Sequence, residues 1–455
     1  MMNLYYIAAF VIVLLCGIAF AYGSKIENKN PTYMAPIYLG AAISIMLTNN
    51  LLIIFMLFEI MMLSGTFMIF GGRSNLSRLA GITYFKFHIL SGVLFLVGAI
   101  LYYKEYKNFE FISVDLVSRL HLFHYFLLAS LFINLAMPPF SSWLIEGYSA
   151  TTSSGSIFLS VGVTKVAIFL LIKIFLGYRY LIYVGVFMSV YGILYALFES
   201  NIRRIINYYI ISQLGVMVIA TGIGLSNIEM NFIVISEIIY IALLMMIVAL
   251  ANSNLGKVFK VTCLIIFCAV ASSLPFTPGY INKFLLYQNH FVIETIWLKY
   301  MISAISLGSA ISVGIRIPAL ILVQKNNKKP NVVLSQKISA AVLICFTLAL
   351  GIDSESILGQ KIYLFGAEAL KQIAIFISAL LVFAILSKPL LKARSYYLPK
   401  LGFDYSILLR KIHFKRAVNL SYMQIATQLS VPRFKQNSEV IISVAIYTLM
   451  LMLLL

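Results

Sequence analysis

The chain is short of charge. Only 11% of its 455 residues are charged and 62% are hydrophobic, whereas a soluble globular domain is roughly a quarter charged and about half apolar. It has no long uncharged polar stretch from which a soluble domain would be built, so its length does not divide into several water-soluble domains. Cysteine is scarce too. Cys16, Cys263, Cys268 and Cys345 all lie in apolar runs, at spacings that suit neither zinc nor redox motifs, and they read as small packing residues. A phosphate loop, a metal-ligand cluster and a nucleophile motif are all missing from the sequence. The reading is therefore of a chain with no catalytic site, no cofactor and no metal of its own. Acids are the scarcer sign, 15 Asp and Glu against 34 Lys and Arg, for a net charge of +19. Such a balance often marks nucleic-acid binding. Here the basic residues sit in short loops between apolar runs, as membrane topology requires, and nucleic acid is excluded as a partner.

What the chain has is apolar runs near the roughly 20 residues that span a bilayer. Candidate spans lie near 4–22, 32–48, 50–71, 79–103, 120–137, 153–176, 180–199, 206–225, 228–251, 258–292, 297–323, 336–352, 365–387 and 439–455, about fourteen in all. This is an all-α integral membrane protein, multi-pass, expected in the cell (inner) membrane with the lipid bilayer as its solvent. Ala19-Phe20-Ala21 mimics a signal-peptidase site, but no positive charge precedes the first run, so it reads as a retained span. The run 258–292 is too long for one straight helix and is interrupted by Pro275, Pro278 and Gly279. The run from 120 is interrupted at Pro138-Pro139. Proline removes a backbone donor and clashes with the preceding turn, and broken backbone at membrane depth is tolerated only inside protein or beside water. Both breaks point to an internal polar path.

Loop charge sets orientation. Lys25, Lys29, Arg73, Arg78, Arg203, Arg204, Lys257, Lys260, Lys325, Lys328 and Lys329 fall on one side, which the positive-inside rule makes cytoplasmic, with the N-terminus outside. Residues 388–436 carry Lys and Arg in excess with Asp404 as their one aspartate. They fall on the cytoplasmic side, where such a segment either enforces topology or attracts anionic headgroups.

An ionisable group at mid-membrane costs at least about 2.5–3.5 kcal/mol on insertion scales and stays only if paired, wetted or useful. Glu59, Lys86, His88, Glu146, Lys165, Glu237 and Lys283 lie in or beside apolar runs. Glu146 is in a broken loop that water reaches, His88 reads as a hydrogen-bonded interior residue, Lys86 can sit near a helix end, and Lys283 can snorkel from the break on its flexible stem. Glu59, Lys165 and Glu237 have apolar sequence for at least about seven residues on one side, beyond easy reach of water. Together these groups read as a buried titratable line able to pass a proton or a cation.

The stretch MPPFSSWLIE (137–146), followed by SGSIFLSVGVTK (154–165), resembles the signature of antiporter-like subunits, roughly P-L-x-x-W-L-P-D and then V-S-A-L-L-x-x-x-x-x-K. Asn201 to Gly215 resembles the family's D-x-K-R-x-L-A-Y-x-S-I-x-Q-x-G, and LPFTPGYINK (274–283) its L-P-P-x-x-G-F-x-x-K. Gly402-Phe403-Asp404-Tyr405 with Arg410 is similar to a C-terminal element of the D-type Mrp subunits and their relatives. Over about residues 5–410 the chain thus resembles the ion-translocating subunits of Mrp-type cation/proton antiporters and of respiratory complex I, the NADH:quinone oxidoreductase.

The resemblance implies two inverted five-helix repeats, 32–176 and 180–323, each with a broken helix. They would follow an N-terminal helix and loop (1–31) and precede C-terminal helices (324–387), a basic cytoplasmic segment (388–438) and a terminal helix (439–455). It implies that Glu59 is the pairing carboxylate, Lys165 the central proton-carrying lysine and Lys283 the terminal lysine. Two family positions are altered. A lysine nine residues before the Trp becomes Asn134, and a histidine followed by a lysine becomes Glu237 and Ile241. Lys86 is then the candidate replacement partner for Glu59, and an acid at 237 favours an oxygen-liking ion such as Na⁺. By the same comparison the family's first two helices are missing. The implied function is that of a membrane subunit of an Mrp antiporter, similar to the D-type, carrying protons, with Na⁺ as the candidate cation, alongside other membrane subunits. The alternatives are a proton-translocating subunit of complex I or a non-conducting structural subunit.

Overall fold

The computed structural model describes residues 29–111, 120–251, 256–323, 334–364 and 366–392. The expected spans at 4–22 and 439–455, most of the basic 388–438 segment, Cys16, Asp404 and Arg410 lie outside the described residues. Within them the chain is helical throughout and contains no strand.

The first stretch runs α1 (Lys29–Leu47), α2 (Leu51–Phe70) and α3 (Asn75–Tyr106). Their boundaries follow side-chain capping of the free amides at a helix start. Asn50 accepts from the amides of Leu52 and Ile53, and Ser74 with Ser77 forms a reciprocal capping box. The expected break at Pro138-Pro139 separates α4 (Leu122–Asn134) from α5 (Ser142–Ala150). A second discontinuity, which no proline announces, divides the next span into α6 (Ser153–Val161) and α7 (Val163–Phe175) at Gly162.

α8 (Tyr180–Phe198), α9 (Ile202–Ile223) and α10 (Asn227–Ala251) are continuous. The long run breaks as expected, α11 (Lys257–Ala271) giving way to α12 (Pro278–Gln288), with Pro278 at the first turn, where its missing amide costs nothing. A short α13 (His290–Glu294) leads to α14 (Ile296–Ser309), which passes through a π-helical stretch, Ala310–Ile315, into α15 (Arg316–Val323). α16 (Leu334–Ile352), α17 (Ser354–Leu358) and α18 (Ala367–Lys392) complete the described chain.

Nine helical spans among the described residues are long and apolar enough to cross a membrane. Their burial separates centre from rim. The α9 span is 100% buried, α10 and the α6–α7 span 94%, whereas α16 is 33% and α18 17% buried. A helix hydrophobic all round belongs in a protein interior or in lipid, and these values show which helices take each place. The closest pairing, α8 against α9, depends on small residues: a Cβ on Gly215 would lie 2.5 Å from the Gly185 carbonyl oxygen. Close backbone approach at small residues is a common way for membrane helices to gain dispersion contact.

Arg316 follows the π-helical stretch and is wholly buried. Its Nη1 donates to Ala196 O at 2.7 Å, its Nη2 to Glu199 O at 2.6 Å and its Nε to Leu390 O at 2.9 Å. Carbonyls at a helix C-terminus lack intrahelical donors and carry partial negative charge. One guanidinium therefore satisfies the ends of α8 and α18 and ties them together at the Arg203–Arg204 end of the molecule.

Candidate functional site

The discontinuity at Gly162 brings Lys165 into the interior. Gly162 sits at φ −87°, ψ −106°, so local backbone groups lose their helical partners. Two tyrosines meet them. Tyr38 Oη accepts from the Val163 amide at 2.9 Å, and Tyr148 Oη donates to Leu159 O at 2.7 Å. Lys165 stands in the first turn of α7 just beyond this tyrosine-held joint, wholly buried.

Its ammonium meets Glu237 of α10. Nζ lies 2.8 Å from Glu237 Oε1, and both side chains are essentially sealed from solvent, at 0% and 2% exposure. Ser236, beside the glutamate, donates to Asn282 Oδ1 of α12 at 3.0 Å. Tyr240, one turn on, donates to Gln213 Oε1 of α9 at 3.2 Å. Four helices, α7, α9, α10 and α12, are thus linked by polar groups around one ion pair. Ile241, where the resemblance expected a lysine, is fully buried.

Beside Glu237 is a small cavity of about 10 Å³, lined among others by Gln213, Tyr240, Asn282 and Lys283. That is room for about one water with polar partners around it. Lys283 is buried, and its Nζ makes no hydrogen bond among the described residues. A buried cation without a direct partner is costly unless water or a mobile charge serves it. The glutamate is bonded to Lys165 and lines the same water-sized cavity as Lys283. Such an arrangement can exchange a proton between amine and carboxylate and extend the exchange through a bridging water.

The remaining expected groups stand on α2, α3 and α5. Glu59 is half-buried on α2. Lys86 is exposed on α3, in step with exposed Leu79 and Val93. Glu146 is half-buried on α5. His88, read as an interior hydrogen-bonded residue, places Nδ1 3.0 Å from Oδ1 of Asn134 and stacks edge-on against Trp143, ring centroids 4.6 Å apart. Trp143 Nε1 donates to Ile133 O at 3.0 Å across the first break. Cys263 is buried, Cys268 half-buried and Cys345 exposed, all as free thiols.

Sequence reasoning passed over three charged residues. Arg316 interrupts an apolar run, a signal that was available. Glu368 and Lys371 lie in the first two turns of α18, paired at 3.7 Å. They sit near the start of a span, where charge is ordinarily unremarkable.

The fold and site define a multi-pass membrane protein, helical over its described residues, with broken helices and a buried lysine–glutamate pair that shares a cavity with a second lysine. The profile of the NADH:quinone oxidoreductase/Mrp antiporter transmembrane family matches residues 48–312, and the chain belongs to that family. It is 23% identical over 243 residues to hydrogenase-4 component B of Escherichia coli, 49% of this chain and 36% of that protein. It is 24% identical over 308 residues to NADH-quinone oxidoreductase subunit N 2 of Thermodesulfovibrio yellowstonii, 62% of this chain and 68% of that protein. The solved Mrp complex from Dietzia sp. DQ12-45-1b contains a chain that superposes with a TM-score of 0.75 at 16% identity, covering 99% of this chain and 55% of that one. The chain thus matches only about a third of the first of these relatives and about half of the Mrp chain.

Proposed function

We propose that this protein is a membrane subunit of a multi-subunit cation/proton antiporter of the Mrp type, carrying protons through Lys165, Glu237, Lys283 and internal water. The Lys165–Glu237 pair, with Lys283 lining the same water-sized cavity as the glutamate, carries this reading. A structural ion pair alone gives no reason for a second ammonium left without a hydrogen bond beside the same carboxylate. The order of elements supports two five-helix repeats, 32–176 and 180–323. In each half three continuous helices precede a broken one and a fifth span closes the set, and matched broken helices mark transporter ion paths. About fourteen spans in all, with a basic cytoplasmic segment at 388–438, complete this reading. The chain would work beside other membrane subunits in the cell (inner) membrane. Glu237 Oε1 is occupied by Lys165, which favours a proton over Na⁺ as the species handled there.

Asn134 favours a second reading. The neutral His88–Asn134 contact stands where relatives would carry a lysine facing Glu59. A subunit with an incomplete first half would serve assembly of an antiporter or a complex I-like enzyme without conducting.

Proton flux into membrane vesicles that hold the native assembly tests both. Lys165→Ala abolishes flux if the chain conducts and leaves it unchanged if the chain is a scaffold. Identifying the proteins that co-purify with the full chain separates an antiporter from a redox complex.

A further inference from the structure

The proton line proposed above stops at Lys283 on α12. On that helix Gly279, Asn282, Lys283 and Leu286 line the cavity beside Glu237. Tyr280 and Tyr287 lie on the adjoining face, and Lys283, three residues from one and four from the other, falls along the seam between the two faces. This second face is covered by the start of α18. Tyr280 Oη donates to Tyr363 O at 2.8 Å, just before that helix. Lys371 Nζ sits 3.5 Å from the centroid of the Tyr287 ring. Gln372 Nε2 donates to Ser272 O, in the break before α12, at 2.9 Å.

Lys371 is paired with Glu368 at 3.7 Å, and the two side chains are 30% and 25% exposed. Part of each side chain reaches the surface, while the facing atoms, Lys371 Nζ and Glu368 Oε2, are shielded and make no hydrogen bond among the described residues. Their place along the molecule follows from Arg316. Its bonds to Ala196, Glu199 and Leu390 put the C-terminal end of α18 at the Arg203–Arg204 end, so the first turns of α18 lie toward the opposite end. Gln360, shortly before α18, reaches Glu229 at 3.3 Å, which places it beside the start of α10, at the opposite end of α9 from Arg203. With the basic loops on the cytoplasmic side, this is the outer side of the membrane.

We infer that Glu368 and Lys371 form the outward terminus of the proton line, exchanging protons with Lys283 along the α12–α18 seam and with water outside. The inference rests on the proton-carrying reading and extends it to two residues on a helix outside both five-helix repeats. Every step is a proton transfer between amine, carboxylate and water, so no oxidant or further reactant is needed. The groups facing the pair are Tyr280 and Tyr287 from α12 and Lys299 from α14. Lys299 sets a like charge beside Lys371, and Glu368 an opposite one.

The test is proton flux in vesicles carrying the native assembly, measured as external pH is varied, for Lys371→Arg, Glu368→Gln and Lys165→Ala. Lys371→Arg keeps the charge over Tyr287 and the ion pair but cannot give up its proton. It should lower flux about a hundredfold, while partner co-purification stays unchanged. Glu368→Gln should shift the external-pH dependence of flux. Wild-type flux and an unchanged pH profile in both variants, with Lys165→Ala inactive, would overturn the outer terminus and leave the proton line standing. Wild-type flux in Lys165→Ala would remove the line itself and this inference with it. If Lys371→Arg fails to co-purify with its partners, the Glu368→Gln profile alone decides.

Discussion

Two polar centres among the described residues solve burial in opposite ways. Around the second break a lysine and a glutamate are sealed together at 2.8 Å, with a further lysine lining the same water-sized cavity as the glutamate. Around the first, a histidine and an asparagine share one hydrogen bond at 3.0 Å, packed on Trp143. Both connect elements next to a broken helix, and each leaves one buried nitrogen, Lys283 Nζ or His88 Nε2, without a hydrogen bond among the described residues. Only the first of these arrangements holds formal charges that a proton transfer can rearrange. A neutral amide at 134 cannot take a proton as a lysine does. On the proposed reading, transport belongs to the Lys165–Glu237–Lys283 side and architecture to the His88–Asn134 side.

The largest effect should come from Lys165→Ala. It strands the carboxylate of Glu237 in a sealed interior, and breaking one side of a buried ion pair costs about 3–5 kcal/mol. Thermal unfolding of the purified assembly should show the loss together with the loss of flux. Lys165→Met combined with Glu237→Leu removes both charges and should recover most of the thermal stability while flux stays absent. Recovery of flux in that double variant would break the comparison.

Glu237→Gln is the next in size. The amide can still accept from Lys165 but cannot carry a proton, so flux should fall steeply with a smaller change in stability. Transport measured against Na⁺ concentration in this variant should keep the wild-type cation dependence. A changed dependence would place the cation, rather than the proton, at Glu237.

On the architectural side, His88→Ala leaves the Asn134 oxygen buried without its partner, a loss of about 1–3 kcal/mol. The expected signature is a lower unfolding temperature with flux per assembled complex near the wild-type value. Flux abolished at normal stability would move His88 into the path. Lys86→Ala should be the mildest, within about 0.5 kcal/mol, as for a surface position. If it matched the effect of Lys165→Ala, the exposed lysine would be the replacement partner of Glu59 after all.

Much of this was legible along the chain. Proline at 138–139 and at 275 and 278 marked both breaks, because a missing amide and a steric clash act through local sequence alone. Lys165, Glu237 and Lys283 stood out because charge inside a long apolar run needs a reason wherever the run folds. The joint at Gly162 was not legible. No proline marks it, and its support comes from Tyr38, 125 positions away in the chain. Glu368 and Lys371 gave no warning either, since charge near the start of a span is ordinary until a helix such as α12 is found packed against it.

Composition and periodicity by themselves determined that the chain lives in lipid, where it bends and which ionisable groups it carries at depth, because each of these follows from the cost of putting a local segment out of water. Which charge meets which was left to the tertiary structure. Lys165 and Glu237 are 72 residues apart, and sequence separation carries no distance. Only the packing of α7 against α10 made them an ion pair, and only the approach of α12 placed Lys283 in the wall of the cavity beside Glu237 instead of in lipid.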